Sequence, residues 1–159
     1  MAFGVSYDKT ESNNILPIGE YEVFIKSAEE KITQTGKSYI NISFIIRNDV
    51  EQRYKNKYIW YSIWKKKEPN QADIACGGYN NQQIQFLSRA VQFSNGKEFA
   101  NIQDWMKQLK GRVLRIKIGH EEFNGKMREK VQWVDITKYP QYDEIFEEDD
   151  EDMPFDDDF

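Results

Sequence analysis

Along much of the chain, apolar residues recur at every second position. Tyr21, Val23 and Ile25 alternate with Glu22, Phe24 and Lys26, which predicts a strand over 20–31. Thr33-Gln34-Thr35-Gly36 is a turn signal, and a second strand follows over 37–47. Ile40, Ile42, Phe44 and Ile46 would share one face of it, with Tyr39, Asn41, Ser43 and Ile45 on the other. A third strand over 57–64 sets Ile59, Tyr61 and Ile63 against Tyr58, Trp60, Ser62 and Trp64. Residues 65–70 read as a loop. The period then changes. Ile84, Leu87 and Val91 make a helical stripe beside Phe86 and Ala90, broken at Asn95-Gly96. A second helix over 103–110 carries Ile102, Trp105, Met106 and Leu109, and Gly111 suits its C-terminal cap. Alternation returns over 112–123, where Leu114, Ile116 and Ile118 share a face. Asn124-Gly125 is a strong hairpin turn signal, and 126–137 forms the returning strand.

Three strands, a helical insert, then a long hairpin is the element order of an OB-fold. The expected fold class is therefore mainly β: an OB-fold-like five-stranded barrel with a helical insert between strands three and four. Such barrels commonly bind oligonucleotides on the face of strands two and three and on their end loops. A small α+β domain with one open sheet is the alternative. Residues 1–18 read as an N-terminal arm, in which Phe3, Val5 and Tyr7 could add a short strand. Residues 19–142 form the expected binding domain and 143–159 a disordered acidic tail.

Charge sharpens this division. The net charge of −5 averages two opposite parts. Eleven of the 27 acidic residues lie in 143–159, which holds no Lys or Arg; the remaining 142 residues carry 16 acidic against 22 basic, a balance of +6. A basic body with an acidic tail points to a nucleic-acid partner, a tail partner, or both. Like charges and a lack of apolar surface predict that the tail does not fold alone. The single cysteine, Cys76, excludes an internal disulfide and fits a reducing cytoplasm. MAFGVSYDKTE lacks the apolar core of a signal sequence, and no stretch approaches a membrane span. No membrane association is expected.

The chemistry-bearing residues argue against an enzyme and against any cofactor or metal. The chain has one His, His120, expected at the exposed end of a strand, one Cys, and no phosphate-binding GxxxxGK[ST] loop. Aromatic residues, 14% of the chain, cluster with cations. In the run 53–67, Lys55, Lys57, Lys65, Lys66 and Lys67 bracket Tyr58, Trp60 and Trp64, with Tyr39 on the neighbouring strand. Single-stranded DNA offers a charged backbone and unstacked base faces, so a site for it wants this combination. Alternatively, the rings are outward-facing barrel residues covered by the helical insert. In the hairpin, Arg115 and Lys117 share one face, as do Lys126, Arg128 and Lys130; if the faces coincide, they make a basic arm. An ordinary solvated edge is the plainer reading. The tail adds rings to charge: Asp152, Pro154, Phe155, Asp156, Asp157, Asp158 and Phe159 suit a partner's apolar pocket rimmed by Lys or Arg. It could also fold back on the basic groove.

From Asp149 to Phe155 the tail resembles the acidic tip of bacterial single-stranded-DNA-binding proteins, although Asp156-Asp157-Asp158-Phe159 follows the Pro-Phe pair here. The body resembles a family of bacteriophage single-stranded-DNA-binding proteins long listed as a domain of unknown function. The resemblance is carried by Gly36-Lys37-Ser38-Tyr39-Ile40 with Phe44 and Arg47-Asn48-Asp49, by Tyr54-Lys55-Asn56-Lys57, and by Ile63-Trp64-Lys65-Lys66-Lys67-Glu68-Pro69. Cys76-Gly77-Gly78-Tyr79-Asn80 and His120-Glu121-Glu122-Phe123-Asn124-Gly125-Lys126 complete it, spanning about residues 19–137. It implies an OB-like fold, sequence-independent single-strand binding without catalysis, and a role in phage DNA replication or recombination in the host cytoplasm, at the nucleoid. The expected partners are single-stranded DNA, replication or recombination proteins bound by the tail, and further copies of the chain. A tail-driven adaptor and an RNA-binding OB-fold protein are the alternatives.

Overall fold

The structure, a computed structural model, describes residues 15–140. Among the described residues, strand alternation and helical stripes resolve into eight elements. The strands are β1 (Gly19–Ile32), β2 (Ser38–Ile46), β3 (Tyr58–Trp64), β4 (Val113–Phe123) and β5 (Lys126–Asp135). Between β3 and β4 lie α1 (Gln71–Ala75), α2 (Asn81–Ala90) and α3 (Ile102–Leu109). The five strands form one antiparallel sheet in the order β3-β2-β1-β4-β5. The sheet is open, with β3 and β5 as its edges.

One face of the sheet builds the core. Ile40, Ile42, Phe44 and Ile46 of β2 are fully buried there, beside Ile59 and Ile63 of β3 and Leu114, Ile116 and Ile118 of β4. The helices close over the same face: Ile84, Leu87 and Ala90 of α2, and Trp105, Met106 and Leu109 of α3, join the same cluster. The α3 helix packs on β1 and α2 on β5. From the other side, Gln83 of α2 donates to the Tyr61 hydroxyl (3.0 Å) and the Ser62 carbonyl (3.3 Å) of β3. Thus α2 bridges the two free edges of the sheet. The short α1 has no apolar stripe to announce it. It is set by a capping box in which the Asn70 side chain accepts from the Asp73 N–H and Asp73 accepts from the Asn70 N–H.

Two bulges break the two-residue period. In β1, Ile25 pairs with Phe44 but Ser27 with Ser43, so Lys26 is an extra residue. Beyond it the parity inverts: Ser27, Glu29 and Lys31 face away from the core, and Ala28 and Glu30 toward it. In β5, Lys117 pairs with Trp133 and Ile118 with Val131, which leaves Gln132 as the extra residue. Its side chain lies over Gly119, where a Cβ would stand 2.2 Å from Nε2, so a larger residue there would have to push the exposed Gln132 side chain aside. Asn124 and Gly125 close the hairpin with φ of 53° and 80°, as a type I′ turn requires.

On the outer face a buried polar clasp fixes the end of the described chain. Arg47, fully buried, donates to both carboxylate oxygens of Asp49 (2.9 and 2.7 Å), to the Thr137 hydroxyl (3.1 Å) and to the Tyr139 carbonyl (2.7 Å). Buried Glu22 accepts from the Thr137 hydroxyl and from the Lys138 N–H (3.2 Å), 4.0 Å from the guanidinium. Gln52 satisfies the backbone beside it, accepting from the Glu22 N–H and donating to the Glu22 and Arg47 carbonyls. At the other terminus, Leu16 is buried in the core, donates its N–H to Glu129 (2.7 Å) and lies with its carbonyl 2.6 Å from His120 Nε2. The sequence reading placed His120 at an exposed strand end; it is instead partly buried and engaged in holding the incoming chain. Phe3, Val5, Tyr7 and the tail lie outside the described residues.

Candidate nucleic-acid interface

Because β2 and β3 alternate, the residues that do not reach the core stand together on the outer face. Strand register arranges them in rows: Lys31–Tyr39–Trp64, Glu29–Asn41–Ser62, Ser27–Ser43–Trp60 and Phe24–Ile45–Tyr58. Tyr39 and Trp64 lie ring to ring at 4.5 Å, and Tyr58 and Trp60 at 5.8 Å with an interplanar angle of 23°. Trp60 keeps 60% of its surface exposed, Tyr58 44% and Trp64 41%. The small side chains of Ser43 and Ser27 leave space around Trp60, so its indole is not walled in. The helical insert, which could have covered these rings, packs on the opposite face. Four flat side chains therefore form a strip of two ring pairs, separated by the Asn41–Ser62 row, that no other element among the described residues covers.

The loop after β3 is held against the insert. Lys65 bridges to Tyr79, the Lys66 N–H donates to the Gly78 carbonyl (2.9 Å) and the Asn80 N–H to the Trp64 carbonyl (3.1 Å). Tyr79 is fully buried and donates its hydroxyl to Glu30 (2.7 Å), which also accepts from Gln103 (2.8 Å). Burial pushes the Tyr79 hydroxyl far up, while the bond from Tyr79 draws the Glu30 carboxyl down. The parity inversion at Lys26 is what turns Glu30 inward to meet this tyrosine. The strings 63–69 and 76–80 are thus one folded unit, and it fixes where Trp64 stands.

The chain belongs to the family described as protein of unknown function (DUF669). The family model matches residues 3–145. No curated protein matches the chain.

The cations expected at the interface divide by what holds them. Lys65 lies over the Tyr79 ring (5.3 Å), Lys66 pairs with buried Asp73 (3.1 Å), and Lys55 pairs with exposed Glu51 (4.0 Å). Among the described residues no ion pair holds Lys57, Lys67 or Lys117. In the hairpin the two basic faces do coincide: Glu121 pairs with Arg128, Gly119 with Lys130 and Phe123 with Lys126, on the same side as Arg115 and Lys117. Several of these charges are already matched. Arg115 binds Glu20 (2.8 Å) and Asp135 (3.3 Å), and Glu121 holds both Arg128 (2.7 Å) and Lys130 (3.7 Å). The hairpin lies toward the Tyr58 end of the rings and away from Tyr39 and Trp64. It pairs with β1 over Gly19–Phe24, and Phe24 shares a row with Tyr58, while Tyr39 and Trp64 lie beside Lys31, roughly 20 Å of strand further on.

Sequence reasoning missed two outer-face residues. Trp133 pairs with Lys117, lies under the Arg115 guanidinium (5.3 Å) and is partly exposed. Strict alternation from Lys130 puts it on the core side; the Gln132 bulge turns it outward. Lys31, beside Tyr39, was hidden in the same way by the Lys26 bulge. No three His, Cys, Asp or Glu side chains come together as a metal site among the described residues. Nor is any helix among them long and apolar enough to cross a membrane.

Asp73 gives this region an acid dependence. Its carboxylate accepts from the Asn81 N–H (2.9 Å) and the Asn70 N–H (3.0 Å) and pairs with Lys66, and these partners hold it below the ordinary value of 3.8. A lowered carboxyl stabilises the folded state fully above the unfolded value, and that contribution disappears as pH falls through the folded one. Urea midpoints measured from about pH 6 to pH 2 should fall more steeply below roughly pH 4 for the native chain than for Asp73→Asn. Equal slopes would show that the carboxylate does not act this way.

Proposed function

We propose that this protein binds single-stranded DNA without sequence preference and without catalysis, stacking bases on Tyr39, Tyr58, Trp60 and Trp64. The observation that carries the reading is the exposure of Tyr58, Trp60 and Trp64, with half-buried Tyr39 against Trp64, on adjacent strands that no element among the described residues covers. Large apolar groups left open in a row mark a contact surface. Flat rings suit unstacked bases, each stacked base contributing roughly 1–3 kcal/mol whatever its identity. Lys57 and Lys67 flank the strip and would meet the phosphates. The strand order and the insert between β3 and β4 fit an OB-type barrel in which α2, rather than strand pairing, spans the gap between β3 and β5. On this reading the protein coats strands exposed during phage DNA replication or recombination, and the tail recruits partner proteins.

The test is titration with an oligo-dT of about 30 nucleotides, followed by tryptophan fluorescence at low and high salt. Strong quenching is expected, with affinity falling as salt rises because bound cations release counterions from the strand. Repeating it with oligo-U tells DNA from RNA preference. No quenching at low salt, up to tens of micromolar protein, would remove the reading.

A further inference from the structure

A second feature lies away from the ring strip. Between α2, α3 and the loop joining them is a cavity of about 790 Å³. Phe86, Phe93 and Phe99 line it, and among the described residues its only charged lining residues are Arg89 and Lys97. Phe93 and Phe99 pack at 5.0 Å, with the Arg112 guanidinium over Phe93 (4.7 Å) and the Lys97 ammonium over Phe99 (5.4 Å). Asp104 lies close enough to feel Lys97, but it is already engaged by the Ala100 N–H and Gln108. Phe86 is largely exposed at the rim. An apolar hollow edged by cations and lined by no carboxylate suits an aromatic ring set in acidic sequence.

The chain carries such a segment. Residues 143–159 hold eleven acidic side chains, no cation, and Phe146, Phe155 and Phe159. The cavity is also near where this segment departs, since Ile136 is among its lining residues and the described chain ends at Pro140. Fifteen residues separate Pro140 from Phe155, a reach of about 50 Å when extended, ample for a return. A tether of this length holds its tip at roughly millimolar local concentration, so a weak site is enough to be occupied. We infer that this cavity is the docking site of the protein's own C-terminal tail, with Phe155 or Phe159 seated among the phenylalanines and the flanking aspartates facing Arg89 and Lys97. A partner that takes the tail must then first draw it from this site. None of the four rings lines the cavity, so the inference stands whether or not the strip binds DNA.

The single cysteine reports on it without engineering. Cys76 lines the cavity, partly buried, its thiol 3.3 Å from Asn81 Oδ1. The rate of its alkylation by N-ethylmaleimide would be compared at one pH between the full chain and full-length Phe155→Ala/Phe159→Ala. These substitutions lie outside the described fold. A docked tail shields the thiol, so the variant should react about threefold to fivefold faster, and a free peptide of residues 143–159 at roughly 1 mM should restore protection. Equal rates would overturn the inference. So would a variant that binds oligo-dT more tightly while its Cys76 rate stays unchanged, because the tail would then lie on the ring strip.

Discussion

Replacing Trp60 and Trp64 together by alanine should weaken binding to a labelled oligo-dT, read by fluorescence anisotropy, at least about thirtyfold, taking ~1 kcal/mol per ring at the lower end of measured stacking. Stability should change little by comparison. Neither tryptophan belongs to the core cluster: Trp60 stacks on Tyr58 and Trp64 lies against Tyr39, both with much of their surface exposed. A substitution at a ring that serves the core has the opposite profile. Tyr79→Phe removes the hydroxyl that Glu30 accepts from and should lower stability, while leaving the ring strip in place. Affinity lost without stability is thus the signature of a stacking residue. If the double tryptophan variant bound oligo-dT as tightly as the native chain, any DNA contact would have to lie elsewhere, with the β4–β5 hairpin the next place to look.

The largest stability effect is expected at Arg47. Its guanidinium is fully buried and joins Asp49, Thr137 and the Tyr139 carbonyl, with Glu22 beside it. Arg47→Ala removes the cation and leaves Glu22 buried among uncompensated polar groups. Breaking a buried charge network from one side costs about 3–5 kcal/mol. Urea unfolding should show that loss, and adding Glu22→Gln should return part of it, because the uncompensated carboxylate carries much of the cost. The clasp also sets where the tail begins, since Thr137–Tyr139 are its C-terminal partners. A loss below about 1 kcal/mol would mean that water replaces the guanidinium and that the network is not tight.

Much of the fold could be read from local pattern. The alternation in β2, β3 and the first half of β4 places every buried isoleucine and leucine but Ile45 on the core side; Ile45 packs with Phe24 and Val113 on the other face. The Asn124-Gly125 turn and the stripes of α2 and α3 were equally plain, because each depends on residues a few positions apart. What the pattern misjudged came from single extra residues. The bulges at Lys26 and Gln132 shift the period by one, and every residue beyond a bulge changes face. Lys31 and Trp133 were hidden for that reason, and Glu30 turns inward for the same one. The short α1 was missed because its signal is a capping box, not a stripe. His120 was read as solvent-exposed because its partner, the Leu16 carbonyl, lies 104 residues away.

The candidate site shows the same division. Sequence alone placed Tyr39, Tyr58, Trp60 and Trp64 on the non-core face of adjacent strands, because side-chain direction in a strand is fixed by the pleat. Whether that face is open depends on where the helical insert packs, and no local pattern specifies this. Charge was also visible in the sequence, but its availability was not: Lys66 is engaged by Asp73, Arg128 and Lys130 by Glu121, and Arg115 by Glu20 and Asp135. The sequence by itself determined the strands, their faces, the helical insert and the contrast between a basic body and an acidic tail, since all of these follow from composition and near neighbours. Only the tertiary structure decided that the helical insert leaves the rings uncovered, which cations are matched, and that Arg47 holds the described chain's departing end, because each depends on contacts between residues far apart in sequence.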